Sequence, residues 1–349
     1  MSAANDMKAL IERRVNRGLR GHWYPVCRSA ELGEGLPHGV RLLGERLVLW
    51  RDAAGRLSCV EDFCPHRGAP LSQGEVFEGN IACRYHGVVV DRDGVIVRVP
   101  AMPECALEGR RAVAAYPVTE TAGAVFVYMP SAERPEPPAL TLPAVMSDPE
   151  WTGFLCSAVW NTNYRYALDN LADPMHGCYL HAQSFTLAYG SKQDLMRIER
   201  TEHGFRVERV SQKDANFDWT EFEFHPGSMF CFLEIPYPPA AGPGGPFRII
   251  GFVTPIDERS TRVFFWRMRR VQGLARESWR FLYRARLEKN HWEVLEQDRV
   301  MLEGMPDDAR RREMLYQHDI GVSRIRQILT RAARAEIEAE QAAGGVAAE

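Results

Sequence analysis

Four residues in the first third of the chain have the types and spacing of a metal site. Cys64 and His66 sit in "EDFCPHRGAP", and Cys83 and His86 follow in "ACRYHG". Two thiolates and two imidazoles admit two readings. A single tetrahedral zinc would take all four. A two-iron, two-sulfide cluster would take both sulfurs on one iron and both nitrogens on the other. Zinc modules pair like with like along the chain. Here each loop carries one ligand of each kind, so each loop can touch both irons, and the spacing favours the cluster. Gly68 and Gly87, close behind the histidines, would let main-chain amides approach the sulfides.

A second constellation lies in "YALDNLADPMHGCYLHAQSF". Asn170, Asp173 and His176 are three apart and would share one helical face; His181 follows. His176 and His181 are about 140° apart on an ideal helix, so both can face one metal only if the helix is interrupted, which Pro174 and Gly177 allow. A buried helix whose polar residues satisfy one another would explain a lone histidine, but two with Asp and Asn so close together point to a metal. Two imidazoles call for a carboxylate to complete a 2-His-1-carboxylate iron site with open positions. "RLEKNHWEVLEQDRVMLEGM" offers one. Its apolar stripe runs from Leu287 through His291, Val294 and Leu295 to Met301 and Leu302, and it passes through Asp298. A buried carboxylate needs a cation or metal. Glu296 and Glu303 fall toward solvent, and His291 reads as a polar core residue that supports the site.

These residues must be held by two units, a division that suits 349 residues. Residues 1–21 carry a helical charge pattern. Residues 22–129 alternate short apolar runs with hairpin signals such as "RDAAGR" and "DRDG" and read as an antiparallel β domain. Residues 130–150 open Pro-rich and read as a linker or strap. Residues 151–330 hold a helix near 162–183, strands from about 195 to 270 and a long helix near 275–304. That is an α+β domain with the helix packed across the sheet. The tail, 331–349, reads as helix fraying into disorder.

A net charge of −3 argues against nucleic-acid binding. No run is long and apolar enough to span a membrane, and no signal peptide is evident, so the cytoplasm is expected. The other six of the eight cysteines read as small buried hydrophobes. Neither a dinucleotide fingerprint nor a P-loop is present, so electrons would have to come from a separate reductase.

"CPHRGAPL" with "CRYHG" resembles the Rieske domain of the Rieske non-haem iron oxygenases. Asn-x-x-Asp-x-x-His-x4-His at 170–181, with a late carboxylate, resembles the catalytic motif of the same family. Arg84 and Val88 stand where the family more often has Pro and Trp; neither is a ligand position. The resemblance implies a helix-grip catalytic domain and a [2Fe-2S] cluster on Cys64, His66, Cys83 and His86. It implies a mononuclear Fe(II) on His176, His181 and Asp298, with Asn170 nearby. Asp173 would link the cluster's His86 in one subunit to His176 in the next, within a homotrimer. The resemblance is nearest the shorter members: vanillate O-demethylase, dicamba monooxygenase and toluenesulfonate monooxygenase. It implies O2-dependent hydroxylation or O-demethylation of a small aromatic substrate, fed by an NAD(P)H-dependent reductase and in some cases a ferredoxin. The alternatives are cis-dihydroxylation of an aromatic ring, or electron transfer without oxygenase activity. For the substrate pocket, Phe185, Phe230, Phe232 and Phe252 are apolar candidates. Arg248 or Lys213 could meet a substrate carboxylate, and strand surface charge explains either equally well.

Overall fold

The computed structural model describes residues 3–184, 187, 189–237 and 244–346. Helix α1 (Ala3–Arg17) leads into ten short strands: β1 (His22–Arg28), β2 (His38–Leu42), β3 (Glu45–Arg51), β4 (Leu57–Glu61), β5 (Glu75–Phe77), β6 (Asn80–Ala82), β7 (Val89–Val90), β8 (Ile96–Arg98), β9 (Val118–Thr121) and β10 (Ala124–Met129). They form three small antiparallel sheets, ordered β1-β10-β9, β2-β3-β4 and β5-β6-β7-β8. The two hairpin signals work through aspartates. Asp52 Oδ1 accepts the amides of Ala54 and Arg56 at 2.9 and 2.8 Å, and Asp91 Oδ1 accepts those of Asp93 and Val95, both at 2.9 Å. Each side chain satisfies the amides that the turn removes from the ladder.

After the strap comes β11 (Trp151–Trp160), then helices α2 (Tyr164–Leu171) and α3 (Gly177–Leu180), then β12 (Met196–Arg200), β13 (Gly204–Arg209), β14 (Trp219–His225), β15 (Ser228–Ile235), β16 (Phe247–Pro255) and β17 (Thr261–Arg270). These strands make one seven-stranded antiparallel sheet, ordered β11-β17-β16-β15-β14-β13-β12. Period-two alternation gives it two apolar faces. One face, with Phe205, Phe222, Leu233 and Phe265, packs on the helices. The other, with Phe230, Ile250, Phe252, Phe264 and Trp266, packs on Trp23, Phe126 and Tyr128 of β1 and β10, and Leu140 and Leu142 of the strap border it. A face so covered joins the two sheet systems through a shared core.

Helix α4 (Gly273–Leu282) passes through a π-turn at Tyr283–Leu287 into α5 (Glu288–Glu303). The short α6 (Ala309–Arg312) precedes α7 (Ile320–Val346). The interruption expected within 162–183 is present: α2 ends at Leu171 and Asp173 is extended at φ −121°, ψ 90°, because the residue before a proline is driven out of the helical region. The fraying expected after 331 does not occur among the described residues, because α7 runs unbroken to Val346. Helix α1 packs against α7. Its Ile11 and Val15 enter the main core beside Ile325 and Leu329, and Arg14 pairs with Glu336 at 2.6 Å and Glu340 at 2.7 Å.

Gly321 lets α7 lie against the end of α2. A Cβ there would sit 2.3 Å from the Ala172 carbonyl oxygen and 3.1 Å from both Val207 methyls. Gly321→Ala gains about 1 kcal/mol of helix propensity but forces a backbone shift costing about 1–3 kcal/mol, next to the turn that carries Asp173 and His176. The variant should melt a few degrees lower and retain less metal at the second site. Thermal melts and metal analysis check this; an unchanged or higher Tm contradicts it.

Candidate metal centres and active site

The two cysteine–histidine loops are built alike. Cys64 N–H donates to Ala69 O and Gly68 N–H to Cys64 O, both at 2.8 Å; Cys83 N–H donates to Val88 O and Gly87 N–H to Cys83 O, again at 2.8 Å. Gly68 and Gly87 close these turns at φ +75° and +74°, where a side chain would be strained. The histidine stands third in one turn and fourth in the other, yet both imidazoles reach the same place. The His66 and His86 rings are 4.7 Å apart, edge to face, and exposed. The thiols are buried, at 2% and 3% exposure, and meet each other. Sulfur thus lies with sulfur inside and nitrogen with nitrogen outside, the partition that a [2Fe-2S] cluster requires and one tetrahedral ion does not. Burial pushes the Cys64 thiol up, the amides of His66 and Arg67 pull it down, and Cys83 pushes it up again. A bound metal resolves this by taking the thiolate. The residues fit the cluster.

The second set converges from two helical segments. Asp173 caps the turn after the break: its Oδ1 accepts Met175 N–H at 2.9 Å, and Pro174 occupies the first turn position. A 3₁₀ turn (Pro174–His176) and α3 follow, and their tighter winding brings His176 and His181 to face one another, rings 5.3 Å apart. Asp298 approaches from α5. The ligand atoms of His176, His181 and Asp298 all lie within 4.8 Å of one another, and no other group of three or more such side chains converges on one point among the described residues.

Hydrogen bonds set the tautomers. His176 Nδ1 lies 2.5 Å from the Asp173 carbonyl oxygen and His181 Nδ1 lies 2.8 Å from Gln297 Oε1. Both acceptors require N–H on Nδ1, which leaves the Nε2 lone pairs free. The Nε2 atoms stand 3.6 and 3.3 Å from Asp298 Oδ1, which also accepts from Asn170 Nδ2 at 3.2 Å. Burial disfavours a charged His181, but the hydrogen bond and charge of Asp298 outweigh it and hold its pKa above the ordinary histidine value. Asp298 is 6% exposed. Two imidazole nitrogens and one carboxylate converging on one point fit a facial iron site.

This set lines one end of a small cleft. Its walls are Leu187, Phe217, Leu233, Ile235, Ile249 and Phe265, with Arg267 and His291 as the other polar residues beside Asn170 and the triad. The expected pocket residues are corrected here. Phe230 and Phe252 are buried on the opposite face of the sheet, and Phe232 packs beside them; Leu233, Ile235 and Ile249 have the other parity and face the cleft. Phe185 lies outside the described residues. Arg248 pairs with Glu234 on the neighbouring strand, and Lys213 is exposed. Neither lines the cleft, whereas Arg267 does. Met301 is 51% exposed, so the buried stripe of α5 ends on Leu302 instead.

Two buried cysteine–histidine turns beside a sheet-and-helix domain with a 2-His-1-carboxylate set define a two-centre iron oxygenase architecture. Residues 22–117 match the Rieske [2Fe-2S] domain, and residues 160–335, half of the chain, match the vanillate O-demethylase oxygenase C-terminal domain. The chain belongs to the vanillate O-demethylase-type family of Rieske oxygenase components, whose terminal subunits carry a mononuclear iron in the catalytic domain. A vanillate O-demethylase oxygenase subunit from Pseudomonas sp. is 36% identical over 164 residues, covering 46% of this chain and 45% of that one. The chain thus spans under half the length of such curated relatives. Dicamba monooxygenase bound to dicamba superposes with a TM-score of 0.74 at 21% identity, covering 91% of this chain and 98% of that one. A fluorene-bound, ferredoxin-complexed oxygenase of carbazole 1,9a-dioxygenase gives 0.73 at 24%, covering 94% and 95%. These two likenesses speak for the fold.

Gln297 sets the His181 tautomer, so Gln297→Leu should bind Fe(II) about 10- to 100-fold more weakly without losing the visible spectrum of the cluster. Anaerobic Fe(II) titration of chelator-treated protein checks this; unaltered affinity contradicts it.

Proposed function

We propose that this chain is the terminal oxygenase of a multicomponent system that uses O2 and reductase-derived electrons to monooxygenate a small aromatic substrate, by hydroxylation or O-demethylation. The observation that carries this is the convergence of His176 Nε2, His181 Nε2 and Asp298 at one end of an apolar cleft. When bound, the cluster on Cys64, His66, Cys83 and His86 supplies single electrons, and the iron on His176, His181 and Asp298 supplies oxygen activation. The chain's own residues do the rest. Phe217, Leu187 and Leu233 keep water from the reacting carbon. Asn170 and Gln297 hold Asp298 and His181 in orientation. A cleft walled by phenyl and branched aliphatic groups suits a flat apolar ring.

Electron delivery is read as intermolecular, in a homotrimer. Among the described residues, no hydrogen bond or ring contact joins His66 or His86 to Asp173 or His176 within one chain. Asp173 opens instead onto an outer groove with Tyr179, Met305, Glu313, Leu315 and Asp319. The exposed rim of the cluster carries Arg67, Arg84 and Tyr85; Asp173 and Asp319 in the groove offer these cations carboxylates between copies, while Glu313 is paired with Arg326. Asp173 reaches His176 through its main-chain carbonyl and caps Met175 N–H with Oδ1, which leaves Oδ2 to meet the neighbour; burial pushes that carboxyl up against the pull of His176. A reductase, with a ferredoxin as intermediary, completes the system. Seven of the eight cysteines are buried and all are unpaired, which suits the reducing cytoplasm. No helix among the described residues is long and apolar enough to cross a membrane.

With a surrogate ferredoxin and reductase, methoxylated aromatics should release formaldehyde. His176→Ala should abolish this and the mononuclear iron while the cluster's colour persists; unchanged turnover would favour an electron-transfer role. A cis-dihydrodiol in place of formaldehyde would select the dioxygenase reading. Asp173→Asn should keep both centres filled yet slow turnover about 10- to 100-fold, and normal turnover would remove its bridging role.

A further inference from the structure

Strand β17 points alternate residues at the cleft, and the inward series Val263, Phe265 is followed by Arg267. Arg267 is 2% exposed. Its Nη1 donates to Tyr283 Oη at 2.9 Å, its Nη2 to the His291 carbonyl at 3.1 Å, and the guanidinium lies 5.6 Å from the centre of the Trp292 ring. All three partners are neutral. Among the described residues no carboxylate pairs with it. Two other buried arginines meet carboxylates: Arg209 meets Asp194 and Arg165 meets Glu12. A guanidinium carries five donors, and a buried cation without a counter-ion is costly. Its placement on a cleft wall therefore calls for an anion that arrives from outside.

His291 stands at the same wall. Tyr237 Oη bonds its Nε2 at 3.0 Å, while its Nδ1 is buried with no partner. Burial, reinforced by Arg267, pushes the His291 pKa down to about 3, so the ring is neutral in any working buffer and adds no repulsion of its own. Tyr237 and His291 also line the adjoining cleft with Gln183, Ser184, Asn290 and Gln297, which gives a polar path to this end.

Resting on the oxygenase reading above, we infer that Arg267, with His291 beside it, is the counter-ion for a carboxylate on the substrate and sets the chain's preference for aromatic acids over neutral analogues. The guanidinium fork matches a carboxylate better than an ammonium would. It is a specificity and positioning residue: it fixes the acid end, and so fixes which carbon is presented to the triad.

The test reads binding rather than turnover. The iron-loaded protein is titrated, by calorimetry and by tryptophan fluorescence, with a panel of methoxybenzoates and phenylacetates and with their amides. Wild type should bind its best acid about 10-fold or more tightly than the matching amide. Arg267→Met should erase that preference by weakening the acid alone, and Arg267→Lys should restore part of it, with Tm and cluster spectrum as folding controls. Three outcomes overturn the inference: equal binding of acids and amides by wild type, an equal loss for both classes in Arg267→Met, or no binding of any acid in the panel. The wild-type comparison stands even if the variants fold poorly. A protein that prefers acids but never oxygenates them would sink the oxygenase reading alone; one that demethylates amides and ignores acids would sink this inference alone.

Discussion

Asp298 is a carboxylate in the interior of a helix, 6% exposed, whose close polar company is Asn170 and the imidazoles of His176 and His181. No arginine or lysine pairs with it among the described residues. Transferring such a charge from water without a cation is prohibitive, and a divalent metal removes the difficulty. Much of the catalytic half of the chain answers this requirement. The helix breaks at Asp173 so that His176 and His181 can face Asp298, Gly321 lets α7 brace that break, and the sheet closes an apolar cleft over the open side.

The first centre obeys a different constraint. Two irons need like ligands grouped in space while the chain supplies them alternately. Two turns with the same hydrogen bonds, one carrying histidine third and the other fourth, solve this by placing both thiols inward and both imidazoles outward. The exposed imidazole pair is the natural exit for an electron. The shared core of β1, β10 and the back of the large sheet fixes the first centre against the catalytic domain of its own chain.

Much of this was legible in the sequence because metal ligands must be particular residue types at restricted spacings. Cys64, His66, Cys83 and His86 announce themselves, and so do Asn170, Asp173, His176 and His181. Asp298 was found because a carboxylate interrupts an apolar stripe. The walls of the cleft were not legible. Alternation along β15 and β16 separates Phe230, Phe232 and Phe252 from Leu233, Ile235 and Ile249 but does not say which face meets helices and which meets the other domain, since both faces are buried. Gln297 and Arg267 escaped for related reasons. Gln297 matters only because helix phase sets it behind His181, and Arg267 sits among other arginines in "WRMRR", where only strand parity singles it out. The sequence could not decide between helix and disorder for the tail, because the partner that steadies it, α1, lies at the opposite end of the chain.

The central claim is that one chain holds a two-iron cluster between its first pair of loops and a separate iron on His176, His181 and Asp298. Anomalous diffraction at the iron edge from anaerobically reconstituted crystals tests it most directly. The account predicts a close pair of iron peaks between the Cys64–His66 and Cys83–His86 turns and a third, isolated peak bounded by His176 Nε2, His181 Nε2 and the Asp298 carboxylate. A single peak at the zinc edge between the loops, or no iron at the triad of a fully reconstituted protein, would contradict it.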